Sequence, residues 1–483
     1  MSSLSAETDE AGQAAIPSAG KSRAAPVGRL SLFSLIVFAL PTIPTVLLSG
    51  PLNSILPTYY TAHTAVSVAA MASILLFARI VDAVTDPMIG YLSDLTRSRI
   101  GRRKPWMIAG SLLAMVSAHN LFVPPPSAGT IYFLGWSLLG YLAWSMIFIP
   151  YNAWTSELSG NYNERSRIFA VRNLVGGIGA IGFAVGPVLL SPFTGSTAIN
   201  AKTLDLFAWA IVISMPLAML LSIWMAPDGQ AVSTRKGSIK GLVQAVRSNR
   251  LLWNFIATLV LSGLANGANG ALGFMIIDNY LHLGSRISDF LAAGILAQVV
   301  SVPIWLKFTY WFGKHRPWAI SMLINAVALF LLFAIKPGEG AYLPMIILTI
   351  VIGFTSGSAL VVPAALLTDV IDYDVLKTGV NRAGNYFSFL ILLSKIESAI
   401  GASLAFYALE IFSYNPKTAN GPWAVFGLLL AYGGIPGLLW VIAAGFAWVY
   451  PLDARRQAVI RKRIEQRAHR AGLAAERALP VSP

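Results

Sequence analysis

The sequence predicts an all-α integral membrane protein, with twelve transmembrane helices in two pseudo-symmetric six-helix bundles. Three observations carry this prediction. Of 483 residues, 56% are hydrophobic and 12% are charged, about half the roughly 25% charged content of soluble domains. Apolar runs of roughly 20 residues, enough to cross a hydrocarbon core of about 30 Å, recur from Leu30 to Tyr450. Finally, a short basic motif comes back: "GRRKPW" at 101–106 returns 212 residues later as "GKHRPW" at 313–318, each time between two apolar runs.

In chain order, residues 1–29 mix Ala, Ser, Glu, Gly and Pro. They lack the short apolar segment and cleavage site of a secretory signal and are expected to be a disordered cytoplasmic tail. Helices are expected over 30–53, 65–92, 106–124, 130–154, 168–192 and 205–226, forming an N-terminal bundle across 30–226. The polar stretch 227–250 is a cytoplasmic linker. A C-terminal bundle, 251–450, holds helices over 251–280, 286–312, 317–335, 341–366, 385–412 and 422–450, and a basic cytoplasmic tail runs from 451 to 483. A second pair of segments supports the repeat: "IPYNAWTSEL" at 149–158 has Pro150 where "VPAALLTDVI" at 362–371 has Pro363. Six-helix halves of like orientation match the parallel-repeat plan of the major facilitator transporters.

Most of the 35 Lys and Arg residues fall in alternate loops and the two tails. That bias places both termini in the cytoplasm, and the expected location is the inner (plasma) membrane. The net charge of +14 follows from topology and attraction to anionic headgroups, so the lipid bilayer is the expected partner and nucleic acid is not. The absence of cysteine excludes disulfides, thiol nucleophiles and Cys-ligated metals. The five histidines are scattered without metal-ligand spacing and no Gly-rich phosphate loop is present, which leaves a membrane enzyme or sensor as a remote alternative. Gly clusters such as "VGGIGAIG" (175–182) and "SGLANGANGALG" (262–273) suit close helix packing.

The ionisable residues within the apolar runs narrow the chemistry. In "VDAVTDPMIGYLSD" (81–94), Asp82 and Asp86 share one helix face, with Arg79 on nearly the same side. A carboxylate at membrane depth costs several kcal/mol unless paired, hydrated or bound to a cation, so both must face the protein interior. Their mutual repulsion is relieved by a shared cation, by a retained proton, or by ion pairing with Arg79 or with a base on another helix. Thr85 adds a hydroxyl suited to Na⁺. Lys395, in "FSFLILLSKIESAIGASLAF", points away from Glu397 two residues on, and its natural counterion is an Asp of the second helix. Asp369, Asp372 and Asp374 of "DVIDYD" are expected to pair with Arg382 or basic loop residues as a gate latch. Asp94, just before "LTRSRIGRR" with Arg102 and Arg103, forms the equivalent in the first half.

The runs "FARIVDAVTDPMIGYLSDLTRSRIGRRKPW", "NERSRIFAVRN" and "LTDVIDYDVLKTGVNRAGNYFSFLILLSK" resemble the glycoside–pentoside–hexuronide:cation symporters, the branch that includes melibiose permease. The resemblance implies that Asp82 and Asp86 form a cation site, with Thr85 and Ser145 as oxygen ligands. It also implies that Arg172 lines the path between the halves and that Lys395 is the eleventh-helix lysine near the cation. The chain departs from the sodium-coupled sugar permeases in two places. Their first helix carries a sugar-gripping Asp, whereas "ALPTIPTVLLSGPLN" here has Pro41 and Pro44 and no carboxylate. Their fourth-helix Asp and Trp are replaced in "FIPYNAW" by Phe148 and Asn152, which removes strong acceptors for hydroxyl donors.

The expected function is therefore a monomeric secondary transporter. It couples H⁺ or Na⁺, with H⁺ favoured and no cofactor, to symport of a small-molecule glycoside, oligosaccharide or hexuronide by alternating access. Tyr151, Asn152, Arg172, Lys395 and Trp154 are the candidate substrate residues, with Trp144 as a second stacking surface. A lysolipid-like amphiphile or an organic acid on the same fold is the alternative.

Overall fold

A computed structural model describes residues 30–159, 162–226, 250–378 and 383–451, with 457, 459, 460, 462, 463 and 466 of the tail. The expected N-terminal tail and most of the linker and C-terminal tail lie outside the described residues, as does Arg382. The described chain is helical throughout, in twelve crossings numbered here α1 to α12. Helix α1 is broken into Leu32–Ala39, Thr42–Ser54 and Leu56–His63. The first break falls at Pro41, the residue that caps the second piece, and Pro44 sits in that piece's first turn, where a missing N–H costs nothing. Then follow α2 (Val68–Leu95), α3 (Lys104–Phe122), α4 (Thr130–Glu157), α5 (Tyr162–Thr194) and α6 (Ala201–Met225).

The second set comprises α7 (Arg250–Met275, extended by a π turn, Ile276–Tyr280), α8 (Ile287–Phe312), α9 (His315–Leu331), α10 (Tyr342–Thr378) and α11 (Ala383–Ile411). Helix α12 runs from Pro422 to Trp448 through a π turn at Leu430–Gly434. Eleven of the crossings are long and apolar enough to span a membrane. The twelfth, α3, has 19 residues, about 28 Å at 1.5 Å per residue. Helices α5 and α10 outrun the expected spans by one to three turns at the end that carries the basic motifs.

The repeated motif marks equivalent turns. Gly101 (φ +100°) and Gly313 (φ +81°) both adopt left-handed backbone, which a side chain resists, and a proline follows within the first turn of α3 and of α9. The glycine clusters are packing surfaces. A Cβ on Gly179 of α5 would come within 2.8 Å of the Ile43 carbonyl oxygen of α1, and one on Gly267 of α7 would overlap the backbone of Ser398 on α11.

The first six helices pack against one another, as do the last six, and the two sets meet chiefly through α2 against α11 and α5 against α8. Hydrogen bonds between the sets join Thr58 Oγ1 to the Ala271 carbonyl (3.2 Å), Thr197 Oγ1 to that of Ser285 (2.7 Å) and Ser403 Oγ to that of Ala72 (2.7 Å). Lys417 also donates to the Thr64 carbonyl. These ties gather toward the face opposite the two basic turns.

Candidate cation and substrate site

Helix α2 brings Asp82 and Asp86 to the seam with α11, and each finds a base. Asp86 Oδ2 forms an ion pair with Lys395 of α11, while its Oδ1 accepts from Ser145 Oγ of α4 at 2.5 Å. Asp82 Oδ2 accepts from Arg79 Nη1 at 3.0 Å, one turn back on α2. Arg79 also donates to Asn53 Oδ1 of α1 at 2.7 Å and lies 4.3 Å from the ring centre of Tyr141. Of the three ways to relieve the repulsion, this conformation uses ion pairing. Two acids and two bases balance, so neither carboxylate is left as an unpaired buried charge. Pro87, directly after Asp86 within α2, supplies no N–H to the carbonyl one turn earlier and loosens the helix at that point.

Thr85 does not join this group; its hydroxyl turns to the main-chain carbonyl of Asp82 at 3.5 Å. Ser145, in contrast, is fully buried and bonded to Asp86. Lys395 and Glu397 diverge as helical geometry requires, the first toward α2 and the second into α7, where its carboxyl lies against Gly263.

A row of aromatic rings leads away from Lys395. Its ammonium is 4.6 Å from the ring centre of Trp144, which stacks on Phe148, one turn on, at 4.3 Å and 15°. The Arg172 guanidinium of α5 approaches Phe148 from beyond (5.8 Å) and lies over Tyr151 at 4.1 Å. Arg172 is 6% exposed and donates to Thr155 Oγ1 at 2.9 Å. Among the described residues it forms no ion pair.

The other expected substrate residues are placed differently. Tyr151 and Trp154 are both 2% exposed. The Tyr151 hydroxyl donates to the Phe38 carbonyl of α1 at 2.5 Å, and Trp154 packs edge-on against the Phe38 ring at 5.0 Å. Both side chains seat α4 on α1 and present little surface to a solute. Asn152 is half-buried on the same helix. Phe148, which sequence reasoning treated only as a lost carboxylate, and Trp144 form the aromatic surface between the two cations. Their four-residue spacing on one helix face was the available signal.

At the basic turns, Arg103 bridges Asp94 (2.5 Å) and Glu157 (3.0 Å), and Arg102 joins Glu157 at 2.8 Å. In the second half Lys314 pairs with Asp369 at 2.6 Å. Arg102 and Glu157 each precede Lys314 and Asp369 by 212 residues, so the two pairs are one device in duplicate. Glu157 was missed in the sequence, although that spacing marked it. Asp372, expected to meet a basic loop residue, accepts instead from Gln457 Nε2 of the C-terminal tail at 2.8 Å. Both latches hold helices of a single set together.

Twelve membrane-crossing helices, a duplicated half and buried, mutually compensated charges at the seam define a multi-pass membrane transporter. The profile of the MFS/sugar transport protein family matches residues 37–454, and the chain belongs to that family. It is similar to an uncharacterized symporter, YnaJ, of Bacillus subtilis, at 24% identity over 91% of this chain and 96% of the relative. Similarity extends to the sodium-dependent lysophosphatidylcholine symporter 1 of Gallus gallus (24%, 82% of each chain). The glucuronide carrier protein homolog of Escherichia coli matches at 23% over 82% of this chain and 88% of its own. Among solved structures, the nucleoside transporter NupG superposes with a TM-score of 0.60 over 90% of this chain and 99% of that one; at 13% identity this speaks for the fold. The chain is thus a symporter-type member of the major facilitator fold that carries a small molecule.

Proposed function

We propose that the protein is a cation-coupled symporter of an anionic organic solute, with a hexuronide or similar glycoside as the substrate class. The observation that carries this reading is Arg172: a buried guanidinium with no acid partner among the described residues, facing Lys395 across Trp144 and Phe148. The four charges on Arg79, Asp82, Asp86 and Lys395 cancel, so Arg172 leaves the site one positive charge in excess, which an anionic substrate balances. The aromatic faces suit the apolar side of a sugar ring.

Coupling follows from the Asp86–Lys395 pair. A cation that binds Asp86 beside Ser145 displaces Lys395, whose ammonium then joins Arg172 in attracting the anionic substrate. Each ligand thereby favours the state that binds the other, which is the reciprocity that coupling demands. Thr85 being turned away leaves few oxygens for Na⁺, and a proton needs only one carboxylate, so H⁺ is the favoured ion. Apart from the Asp86–Lys395 pair at the site, the hydrogen bonds between the helix sets gather opposite the basic turns, and the Arg102–Glu157 and Lys314–Asp369 pairs stay within their own sets. This supports an interior open toward the basic face, which the positive-inside bias assigns to the cytoplasm together with both termini. The setting is the plasma membrane and the working unit a monomer.

A second reading, a lysolipid-like amphiphile, is favoured by the Trp144–Phe148 face and by the similarity to the lysophosphatidylcholine symporter. Uptake into proteoliposomes of a glucuronide, a neutral glycoside and a lysolipid, across pH and with or without Na⁺, separates the two. The proposal expects glucuronide uptake driven by a proton gradient; uptake of the lysolipid alone rejects the glycoside class.

A further inference from the structure

The C-terminal helices enclose a cavity of about 270 Å³ that shares no residue with the site above. It lies between α7, α8, α9, α10 and α12, with Gln298, Trp318, Asn325, Thr355, Ser358 and Trp440 in its walls. No side chain in its lining is ionisable, and nearly all its polar groups are amides, hydroxyls or indole N–H. A polar chamber inside a membrane-embedded bundle is costly unless its groups are satisfied. Several are, through their own helices: Ser321 Oγ bonds to the Trp318 carbonyl and to Ser358 Oγ, both at 2.7 Å, and Thr355 Oγ1 to the Ile352 carbonyl at 2.9 Å.

Two groups are not. Asn325 Oδ1 and Trp440 Nε1 have no hydrogen-bond partner among the described residues, although each residue is only 4% exposed. One is an acceptor awaiting a donor and the other a donor awaiting an acceptor, and both residues line this cavity. A hydroxyl, which both donates and accepts, is the group type that suits either atom, and the indole faces of Trp318 and Trp440 suit the C–H side of a ring. The volume corresponds to roughly nine water molecules at about 30 Å³ each, enough for a pyranose ring. Asn266 on α7 and Leu360 on α10 are exposed at its rim, which gives an entry.

We infer that this chamber is a second binding site, for a neutral polyhydroxylated ligand such as a sugar ring, separate from the charged site at the α2–α11 seam. The inference does not depend on which solute the protein transports. An unpaired charge on the ligand would find no counterion there, so the chamber discriminates against the anions that Arg172 favours.

The test is equilibrium binding of radiolabelled methyl β-glucoside to the full-length protein in nanodiscs. Asn325→Leu removes one orphaned group at nearly constant bulk and Trp440→Phe removes the other while keeping an aromatic face, and each is expected to weaken binding about tenfold. The melting temperature of Asn325→Leu should stay level or rise, because an unsatisfied polar atom is lost. If Asn325→Leu does not fold, Trp440→Phe carries the same test. Arg172→Gln should leave this binding within about twofold, as expected for independent sites, while raising the KM for glucuronide uptake by about 10- to 100-fold. Absence of methyl glucoside binding in the wild type, equal binding in both pocket variants, or loss of binding in Arg172→Gln overturns the inference. A failure of glucuronide uptake in the wild type leaves it standing and rejects only the proposed transport substrate.

Discussion

The two halves of the molecule agree at their basic face and disagree in their interior. At that face, Arg102–Glu157 and Lys314–Asp369 repeat with one spacing, as do the left-handed glycines 101 and 313. Inside, the first half carries Arg79, Asp82, Asp86 and Arg172, whereas its counterpart offers amides and hydroxyls around a neutral chamber, with Glu397 buried against α7 and Lys395 reaching across to the acids. On the proposed function, what is duplicated serves the motion that both halves share, and what is unique to one half serves ligand chemistry. Mutations should therefore be unequal in the interior and equal at the basic turns.

The largest effect is expected for Lys395→Gln. It leaves Asp86 without its base, and breaking such a pair costs about 3–5 kcal/mol, or at least about 100-fold. Accumulation of substrate should collapse while the cation, freed from competition, binds more tightly in a titration; unchanged cation binding would break the link between Lys395 and coupling. Next comes Arg172→Gln, expected to raise the KM for a glucuronide by about 10- to 100-fold through loss of a charged contact worth about 1.5–3 kcal/mol. Arg172→Lys should recover only part, because an ammonium cannot reproduce the planar fork over Tyr151. A neutral glycoside whose uptake falls equally would show that Arg172 acts on folding and not on charge recognition.

Packing gives a third, smaller contrast within α7. Gly267→Ala drives a methyl into the Ser398 backbone and should cost about 1–3 kcal/mol in thermal unfolding. Gly270→Ala meets nothing within 4 Å and should stabilise by about 0.5–1 kcal/mol. The same sign at both positions would refute close helix approach as the reason for the cluster. The smallest effects belong to the duplicated latches. Glu157→Gln and Asp369→Asn should alter transport rate in the same direction by about two- to fivefold, since each amide keeps a hydrogen-bond acceptor for the bases at its buried position, with substrate affinity unmoved. Opposite signs would end the claim that the two pairs are one device.

Much of this was legible in the sequence. Helix number followed from apolar length, and the duplicated turns from the return of "GRRKPW". The pairing of Lys395 with a second-helix acid followed from the cost of leaving either charge alone in a bilayer. Partners set by tertiary packing were harder to foresee. Nothing local says that Arg79 reaches Asn53 on α1, or that Trp154 and Tyr151 turn toward Phe38 and away from the seam. Their aromatic character suggested stacking on a sugar, but helix α4 spends that face on α1 and offers Trp144 and Phe148 instead. The neutral chamber was invisible, because its walls come from five helices and none of its residues is unusual alone.

The most direct test of the central claim is a pair of assays on Asp86→Asn in proteoliposomes: substrate exchange at equal concentrations, and accumulation driven by an imposed cation gradient. Binding of the cation at Asp86 predicts that exchange continues while accumulation disappears. Accumulation against a substrate gradient by Asp86→Asn would contradict it.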